Sequence, residues 1–306
     1  MVYRTGSEIV IKQNFLTGEY VIYSIDREKR PQTIKKHICP TPVEHCPFCL
    51  QNKHMTFKPI YTSFNEEIRI VDNKYPIIKD CENTYGKHYV LIDTKEHQKN
   101  IIHFTDEHMF YVMKSIKDIL NILYKDEKLQ YVQIFKNKGV NAGASQHHSH
   151  WQILGLPILP NKQKYVINTL KDYETKNNKC YFCNLNFLDN LVYETNDFLA
   201  FCPEDSLYYY EINIIPKQHI TNIAYLDDNM LKQLGHTLKK CLIKLDAVHN
   251  NIDYNICLHN GSKTDEYHFF IQIIPRIGNI AGFEFSTGMF INSCLPQDAA
   301  KSLRKV

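Results

Sequence analysis

The short stretch Cys46-Pro-Phe-Cys49 returns later in the chain as Cys180-Tyr-Phe-Cys183. Each copy is followed by two widely separated histidines in a similar spacing. These are His97 and His148 after the first copy, and His219 and His268 after the second. Self-similarity of this kind is the signature of a repeated structural unit, so the chain is expected to contain two related modules.

The segments around these histidines also agree between the halves. In each half an apolar run rich in β-branched residues ends in a polar stretch and the first histidine, which predicts a buried strand leading into a loop. An acidic helix start and an amphipathic pattern follow, and a further strand carries the last histidine. The predicted strand, helix and strand cover 89–97, 109–123 and 151–156 in the first half and 211–219, 230–248 and 269–274 in the second.

This order of elements predicts an α+β fold of two tandem modules, each a mostly antiparallel sheet with one main helix. We place the boundary near residue 160, which gives modules of 1–160 and 161–306. The polar stretch 160–178 is expected to form a largely helical connection between them. Alternating apolar and basic residues over 296–306 predict a short closing helix.

The composition argues against several classes of protein. The 306 residues include 36 basic and 33 acidic side chains, so the formal net charge is +3 at pH 7. Nucleic-acid-coating and membrane-surface proteins bind through fields of one sign. No run approaches the roughly 18 apolar residues that a membrane span needs, and the first 25 residues lack the apolar core of a secretory signal. We expect a cytoplasmic protein that binds neither nucleic acid nor membranes.

The repeated cysteines and histidines predict metal binding. The chain has 10 cysteines and 15 histidines, and in a reducing compartment cysteines are more often metal ligands or catalytic thiols than disulfides. A C-x-x-C pair supplies two zinc ligands from one turn. A redox motif uses the same spacing but does not explain two later histidines in matching order. Ordinary buried thiols and histidines are the other alternative.

We therefore predict two zinc sites with four protein ligands each. Such sites are structural, because no position remains open for a reactive water. The predicted ligands are Cys46, Cys49, His97 and His148 in the first site and Cys180, Cys183, His219 and His268 in the second.

The segment from Gly143 to Gln152 contains the candidate catalytic residues. His148, His150 and Gln152 alternate along it, so on a strand their side chains leave from one face. One histidine can then bind metal while its neighbour stays accessible. A neutral imidazole in one tautomer is a competent nucleophile toward phosphorus, and Gln152 could donate to a phosphate oxygen. A second metal site or a histidine-rich loop is the alternative, since His147 also lies here.

Further segments are candidates for contact with phosphate or nucleoside. The loop before the histidines offers backbone N–H groups and a hydroxyl, and two arginines three residues apart could fork onto phosphate oxygens. An exposed basic turn is the commoner meaning of such a pair, and Asn73-Lys-Tyr-Pro76 is by itself only a turn. The candidate residues are Arg27, Arg30, Asn141, Gly143, Ala144 and Ser145.

Four motifs together resemble the galactose-1-phosphate uridylyltransferase family of the histidine-triad (HIT-like) superfamily, over nearly the whole chain. The L-T-G-x-[WY]-V…R-x-x-R-P opening matches residues 16–31, and the C-P-x-C knuckle matches 46–49. The N-x-[YF]-P motif matches 73–76, and H-x-H-x-Q matches 148–152. The resemblance implies a HIT-like fold for both modules.

The resemblance also implies a mechanism. In the family the first cysteine and histidine set binds zinc, and the residue matching His150 attacks the α-phosphate of a nucleotide-sugar. This releases a sugar 1-phosphate and leaves a nucleotidyl-histidine, which a second phosphate acceptor resolves. The resemblance further implies contacts with the transferred phosphate for Gln152 and Ser145, phosphate contacts for Arg27 and Arg30, and a position near the nucleoside for Asn73.

The second module departs from the motif. His268-Phe-Phe270-Ile-Gln272 keeps the metal histidine but has phenylalanine at the nucleophile position, so module 161–306 is expected to be catalytically silent. Uridylyltransferases have a lysine four residues before the glycine of a G-[YF]-E stretch, where this chain has Gly278 before Gly282. The stretch 281–292 and the complete second zinc set look like the ADP-glucose phosphorylase subgroup, which transfers AMP to inorganic phosphate.

The expected function is therefore adenylyl transfer from a nucleotide-sugar. The alternatives are a UDP-hexose/hexose-1-phosphate uridylyltransferase, a dinucleoside polyphosphate phosphorylase or hydrolase, and a nucleotide-binding protein without turnover. A binding module would have no need for a free nucleophile, which argues against the last. The expected partners are a nucleotide-sugar and phosphate or a sugar phosphate, and the family also leads us to expect a homodimer.

Overall fold

Thirteen strands and five helices are found in the described part of the chain, which in this computed structural model comprises residues 9–25, 42–186, 189–261 and 267–306. The strands are β1 (Val10–Gln13), β2 (Tyr20–Tyr23), β3 (Tyr61–Ser63), β4 (Ile68–Asp72), β5 (Lys87–Ile92), β6 (Tyr131–Lys138), β7 (His150–Leu156), β8 (Leu191–Glu194), β9 (Phe198–Phe201), β10 (Ile212–Pro216), β11 (Tyr254–His259), β12 (Phe270–Pro275) and β13 (Phe290–Asn292). The helices are α1 (Asp106–Tyr124), α2 (Asn161–Asn177), α3 (Asp228–His249), α4 (Gly282–Thr287) and α5 (Pro296–Arg304).

Ten of the strands form one antiparallel sheet that runs through both halves of the chain. Its order is β3-β4-β5-β7-β6-β11-β12-β10-β9-β8. The strands β8 to β12 repeat β3 to β7, so the order of equivalent strands is the same from either edge. The halves meet at β6 and β11, where Phe135 lies opposite Cys257. The two modules are therefore related by an approximate twofold axis that passes between β6 and β11.

Two long amphipathic helices, α1 and α3, cover one face of this sheet. Thr105 caps α1 and Asp227 caps α3, each by accepting a hydrogen bond from a first-turn N–H. The apolar faces of both helices pack into one core with side chains from both halves of the sheet. Where the helices cross, a Cβ on Gly235 would lie 3.0 Å from the carbonyl oxygen of Met109, so the close approach favours glycine.

The connecting helix α2 covers the opposite face of the second module. It buries Val166, Ile167 and Leu170 in a smaller cluster with Phe270, whereas the next residue of β12, Ile271, belongs to the core beneath α1 and α3. Neighbouring residues of a strand point to opposite faces. In the first module the equivalent face bears the candidate catalytic residues.

A separate small sheet lies near the chain ends. In it β2 pairs antiparallel with β1 and parallel with β13. The side chains of Ile9, just before β1, and Ile11, within it, are exposed.

The predicted α+β fold is confirmed, with a mostly antiparallel sheet and one main helix in each module. The helices predicted over 109–123 and 230–248 lie within α1 and α3, the predicted connection is α2, and the closing helix is α5. Among the described residues, no helix is both long and apolar enough to cross a membrane.

Candidate active site and metal centres

The four predicted ligands of the first metal site converge beside β5 and β7. The candidate ligand atoms of Cys46, Cys49, His97 and His148 all lie within 4.8 Å of one another. Cys49 Sγ is 3.3 Å from His97 Nδ1, and Cys46 Sγ is 3.5 Å from His148 Nδ1. Zinc bonds of about 2.3 Å to sulfur and about 2.0 Å to nitrogen give tetrahedral edges of about 3.5 Å between these atoms. The donor set and its spacing fit a zinc ion.

The surroundings of this cluster favour its metal-binding form. His148 Nε2 lies 2.8 Å from the carbonyl oxygen of Thr94, to which it donates, so Nδ1 keeps its lone pair toward the cysteines. Burial and the neighbouring Cys46 raise the pKa of Cys49 to about 11. The raised pKa favours the neutral thiol. A bound divalent cation would instead favour the thiolate, which is the form that binds metal.

The second cluster repeats this arrangement nearer the surface. Cys180 Sγ lies 3.5 Å from His268 Nδ1, and Cys183 Sγ lies 3.7 Å from His219 Nδ1. His268 Nε2 is 3.0 Å from the carbonyl oxygen of Pro216, which again turns Nδ1 toward the cysteines. His268 is buried, but Cys183 and His219 are exposed. This donor set also fits zinc.

His150 is the first residue of β7, and its ring is held in one tautomer. Its Nδ1 lies 2.8 Å from the carbonyl oxygen of His148, so Nδ1–H donates and Nε2 carries the lone pair. Burial lowers the pKa of His150 to about 4, which keeps the ring neutral near pH 7. The ring of Phe48, within the metal knuckle, packs 5.1 Å from the His150 ring between centroids. His148 lies just before the strand rather than within it.

A hydrogen-bonded chain orients Gln152. His88 Nδ1 accepts from the Ile77 N–H at 3.0 Å, so the neutral His88 ring is protonated at Nε2. That nitrogen lies 3.1 Å from Gln152 Oε1, and Asn73 Nδ2 lies 3.1 Å from it as well. Once its oxygen is bound to His88, Gln152 keeps its N–H₂ group as a donor. The predicted Asn73 and Gln152 therefore both contact His88, a residue that the sequence did not single out. In this tautomer the His88 Nε2–H donates to Gln152, and the Asn73 amide nitrogen, itself a donor, only lies near it.

A buried polar network lies beneath β7, the strand that begins at His150. Lys136 Nζ donates to Asp93 Oδ2 at 2.8 Å, to Ser149 Oγ at 2.6 Å and to the His150 carbonyl oxygen at 3.2 Å. Trp151 Nε1 donates to the same Asp93 oxygen at 3.0 Å. Lys136 is 1% and Asp93 0% exposed, and a broken pair this deep is costly. The network therefore fixes the backbone on both sides of His150.

The predicted phosphate loop has a different local structure from the one expected. The N–H groups of Gly143 and Ala144 donate at 3.0 Å to the carbonyl oxygens of Val140 and Gly139, so the turn itself uses them. Both amide groups of Asn141, backbone and side chain, donate to Asp253 in the second module, at 3.0 and 2.9 Å.

Three other residues were predicted to contact phosphate. Ser145 is exposed in the loop before the catalytic strand. Arg27 and Arg30 lie outside the described residues.

The two modules can be compared position by position through their glutamines. Gln152 in β7 and Gln272 in β12 are equivalent, and their cross-strand partners define equivalent positions on the neighbouring strands. The second module has different residues at many of these positions, and five of the differences bear directly on the candidate active site. The pairs, first module first, are His150 and Phe270, Lys136 and Leu258, Asp93 and Pro216, His88 and Glu211, and Asn137 and His259.

Known proteins are similar to this chain in sequence and in fold. The N-terminal domain of a family of unknown function, DUF4931, matches residues 22–159, and the HIT domain matches residues 185–277. ADP-glucose phosphorylase from Arabidopsis thaliana is 29% identical over 97% of this chain and 92% of its own length. A crystal structure of an ADP-glucose phosphorylase from that plant with bound ADP-glucose aligns with a TM-score of 0.89 at 29% identity, covering 98% of this chain and 99% of that chain.

Two further relatives define the wider family. Galactose-1-phosphate uridylyltransferase from Thermotoga maritima is 27% identical over 96% of this chain and 98% of its own length. Protein hit from Bacillus subtilis is 30% identical over 34% of this chain and 75% of its own length. This chain belongs to the galactose-1-phosphate uridylyltransferase family of the HIT-like superfamily. Within that family it groups with ADP-glucose phosphorylase.

The resemblance predicted from four motifs is thus confirmed at the level of family and subgroup. The motifs did not identify His88, Lys136 or Asp93. A weak signal was available for His88, which lies at the start of a predicted strand near the motif that contains Asn73. Lys136 and Asp93 carry no local signature, because their meeting depends on how β5, β6 and β7 pair.

Proposed function

We propose that this protein is a nucleotidyltransferase of the ADP-glucose phosphorylase type, which transfers AMP from ADP-glucose to inorganic phosphate through His150. The observation that supports this most directly is the ring of His150. Its Nδ1–H is bound to a backbone carbonyl and its Nε2 lone pair is free to attack, beside a glutamine donor on the same face of β7. A neutral, fixed imidazole is suited to nucleophilic attack on phosphorus.

The proposed reaction has two steps. In the first, His150 Nε2 bonds to the α-phosphorus, the bond from that phosphorus to the bridging oxygen breaks, and the electron pair leaves with glucose 1-phosphate. In the second, an oxygen of inorganic phosphate attacks the same phosphorus, the N–P bond breaks, and ADP leaves. Throughout both steps Nδ1–H stays on the His148 carbonyl, which stabilises the positive charge of the adenylylated ring.

Gln152 acts on the phosphoryl oxygens in both steps. Since its oxygen is bound to His88, its N–H₂ group can donate to an equatorial oxygen as negative charge develops there. We assign Ser145, Arg27 and Arg30 to phosphate and Asn73 to the nucleoside, as their motif positions imply. Asn141, Gly143 and Ala144 would contribute to phosphate binding through the shape of their loop. Their backbone N–H groups and the Asn141 side-chain amide already donate to other groups of the protein.

The two cysteine and histidine clusters would each hold one structural zinc ion. The first would comprise Cys46, Cys49, His97 and His148, and the second Cys180, Cys183, His219 and His268. A bound zinc ion would supply rigidity rather than Lewis-acid chemistry, because all its positions would be filled. In the first module the metal ligand His148 also supplies the carbonyl that orients His150, so the cluster would hold the nucleophile in place.

The relatives that are uridylyltransferases support a second candidate function. The full-length match to the Thermotoga enzyme makes uridylyl transfer between UDP-hexose and hexose 1-phosphate the alternative. Gly278 stands where uridylyltransferases have a lysine, which favours the phosphorylase. The division at residue 160, a homodimer and a cytoplasmic location complete the proposal.

A substrate panel tests the proposed function. ADP-glucose, UDP-glucose and diadenosine tetraphosphate are each incubated with the protein, with and without phosphate, and products are separated by ion-exchange chromatography. From ADP-glucose we expect ADP and repeated release of glucose 1-phosphate only when phosphate is present, and at most one glucose 1-phosphate per chain without it. The His150→Ala variant should be inactive, and the matched His147→Ala variant, which changes an exposed neighbour, should be active. Turnover by His150→Ala, or none with any of the three substrates, would contradict the proposal.

A further inference from the structure

A cavity of about 740 Å³, which the proposed transfer chemistry does not use, lies mainly against the second module and is closed by residues 12–17 of the first. It lies between the connecting helix α2, the turn at residues 14–17 and the face of the sheet opposite α1 and α3. Its lining includes Phe270, Gln272 and Glu211, the counterparts of His150, Gln152 and His88. A volume in this range is typical of small-molecule sites.

Three polar side chains in this cavity form a connected row. The ring of His259 stacks on that of Phe270 with centroids 4.2 Å apart, and its Nε2 lies 3.1 Å from Gln272 Oε1. Gln272 Nε2 donates to Glu211 Oε1 at 2.6 Å. The row places an imidazole, an amide and a carboxyl group along one wall of a cavity that is otherwise largely apolar and aromatic.

Two more polar side chains line the cavity with unused acceptors. Asn213 is 4% exposed and Gln163 is 8% exposed, and the side-chain oxygen of each has no hydrogen-bond partner among the described residues. A buried acceptor without a partner is destabilising. A small rotation of either amide toward the cavity would let an N–H or O–H group of a ligand satisfy it. The lining therefore favours a ligand that brings hydrogen-bond donors.

The charges around the cavity disfavour an anion. Lys12 and Lys162 lie at its rim, but each has a carboxylate partner: Glu204 at 3.9 Å and Glu19 at 3.1 Å. The lining also includes the carboxyl groups of Asp205 and Glu211. Burial raises the pKa of Glu211 to about 7. A ligand with a phosphate chain would meet these acidic groups, and both rim lysines in the described part of the chain already have a carboxylate partner.

Aromatic rings complete the lining. Phe15 stacks on Tyr181 with centroids 4.1 Å apart, and both residues line the cavity together with Phe182 and Phe270. Flat heteroaromatic groups pack well against such surfaces. We propose that this cavity binds an uncharged ribonucleoside, with the base against the aromatic side chains and the ribose hydroxyls and base N–H groups donating to the amides and to Glu211. The site is separate from His150 and does not depend on the proposed catalytic function.

Adenosine binding to the zinc-loaded full-length protein tests this proposal. Calorimetry measures affinity, and photo-crosslinking with 8-azidoadenosine followed by peptide mapping locates the site. We expect a crosslink on the peptides that contain Phe15 or Tyr181, and this crosslink should persist in His150→Ala. Asn213→Leu should weaken binding at this site at least tenfold. AMP should compete for it at least tenfold less well than adenosine.

Controls separate binding from folding. Asn177→Leu makes the same substitution at an exposed position of α2 and should bind adenosine normally. If Asn213→Leu loses its metals or its cooperative thermal transition, Gln163→Leu replaces it, with the same tenfold expectation. The proposal is overturned if about 1 mM adenosine gives no binding, if crosslinks occur only on peptides that contain no residue of the cavity lining, or if a folded cavity variant binds with unchanged affinity.

Discussion

The two modules have equivalent strands, cysteine and histidine clusters in the same order and equivalent glutamines, yet they differ beneath the strand that follows the last histidine of each cluster. In the first module Lys136 and Asp93 form a buried ion pair under that strand, whereas the second module has Leu258 and Pro216 there. The module with the buried pair is the one with His150. The two modules thus share the fold and the cysteine and histidine clusters, whereas the buried ion pair lies beside the candidate nucleophile.

Metal removal should have the largest effect and should act unequally on the two modules. Elemental analysis should return about two zinc ions per chain, and structural zinc binding is worth about 10–16 kcal/mol in small zinc domains. Because Cys183 and His219 are exposed while Cys46, Cys49 and His148 are buried, a chelator should remove the second ion first. Activity should be retained until the first-module ion leaves. If all activity were lost when only the second-module ion had been removed, the activity of the first module would depend on the metal of the second.

Replacing the nucleophile should have the next largest effect. His150→Ala should lower turnover at least about a thousandfold, as removal of a catalytic nucleophile does elsewhere, while the thermal transition stays close to that of the wild type. The measurement is single-turnover release of glucose 1-phosphate from ADP-glucose. Recovery of activity in His150→Gly with added imidazole would strengthen the assignment, and a variant that keeps a tenth of the activity would remove His150 from the mechanism.

Lys136→Met should damage both stability and catalysis, because it leaves Asp93 buried without its cation. We expect the free energy of unfolding to fall by about 3–5 kcal/mol. At a temperature where the variant is folded, kcat should fall and KM should stay nearly constant, since the network positions the strand rather than the substrate. Lys138→Met, on the same strand but less buried, is the matched control. Equal effects of the two substitutions would argue against a special role for the network.

His88→Leu should have a smaller effect than Lys136→Met. The substitution removes the partner of Gln152 Oε1 but leaves His150 and its carbonyl partner in place. A loss of about fivefold in kcat is expected, as for one neutral hydrogen bond worth about 1 kcal/mol. Steady-state kinetics with ADP-glucose measures it. Adding His88→Leu to Gln152→Ala should cause little further loss, because both changes act on the same group; full additivity would contradict this coupling.

Introducing a histidine into the second module, at the position equivalent to His150, should not create catalytic activity. Phe270→His restores the H-x-H-x-Q pattern, but Leu258 and Pro216 cannot form the network found in the first module. Combined with His150→Ala it should therefore form no nucleotidyl adduct, as judged by intact-protein mass spectrometry. An adduct on residue 270 would show that the motif alone is sufficient.

The sequence predicted the features that are written locally. The C-x-x-C pairs and the acidic helix starts could be recognised because each is a short local pattern, and the histidines could be recognised because their order repeats in the second half. The alternation of His148, His150 and Gln152 likewise indicated one face of a strand.

The remaining features depend on contacts between distant segments. Lys136 and Asp93 are 43 residues apart in sequence, and only the pairing of β5, β7 and β6 makes them neighbours. The loop at Gly143 and Ala144 was predicted to offer free amides, but whether a turn bonds its own N–H groups depends on its conformation. The joining of both halves through β6 and β11 was also not evident, because an edge strand and a central strand can have the same pattern.

The central claim, one nucleophile in a duplicated framework, is tested most directly by mapping the covalent intermediate. The protein is mixed with ADP-glucose in the absence of phosphate, denatured without acid and digested, and the modified peptide is sequenced by mass spectrometry. We predict one AMP group per chain, attached to His150 and released on addition of phosphate. An adduct on a second-module residue, or no adduct under conditions in which the protein turns over ADP-glucose, would contradict the claim.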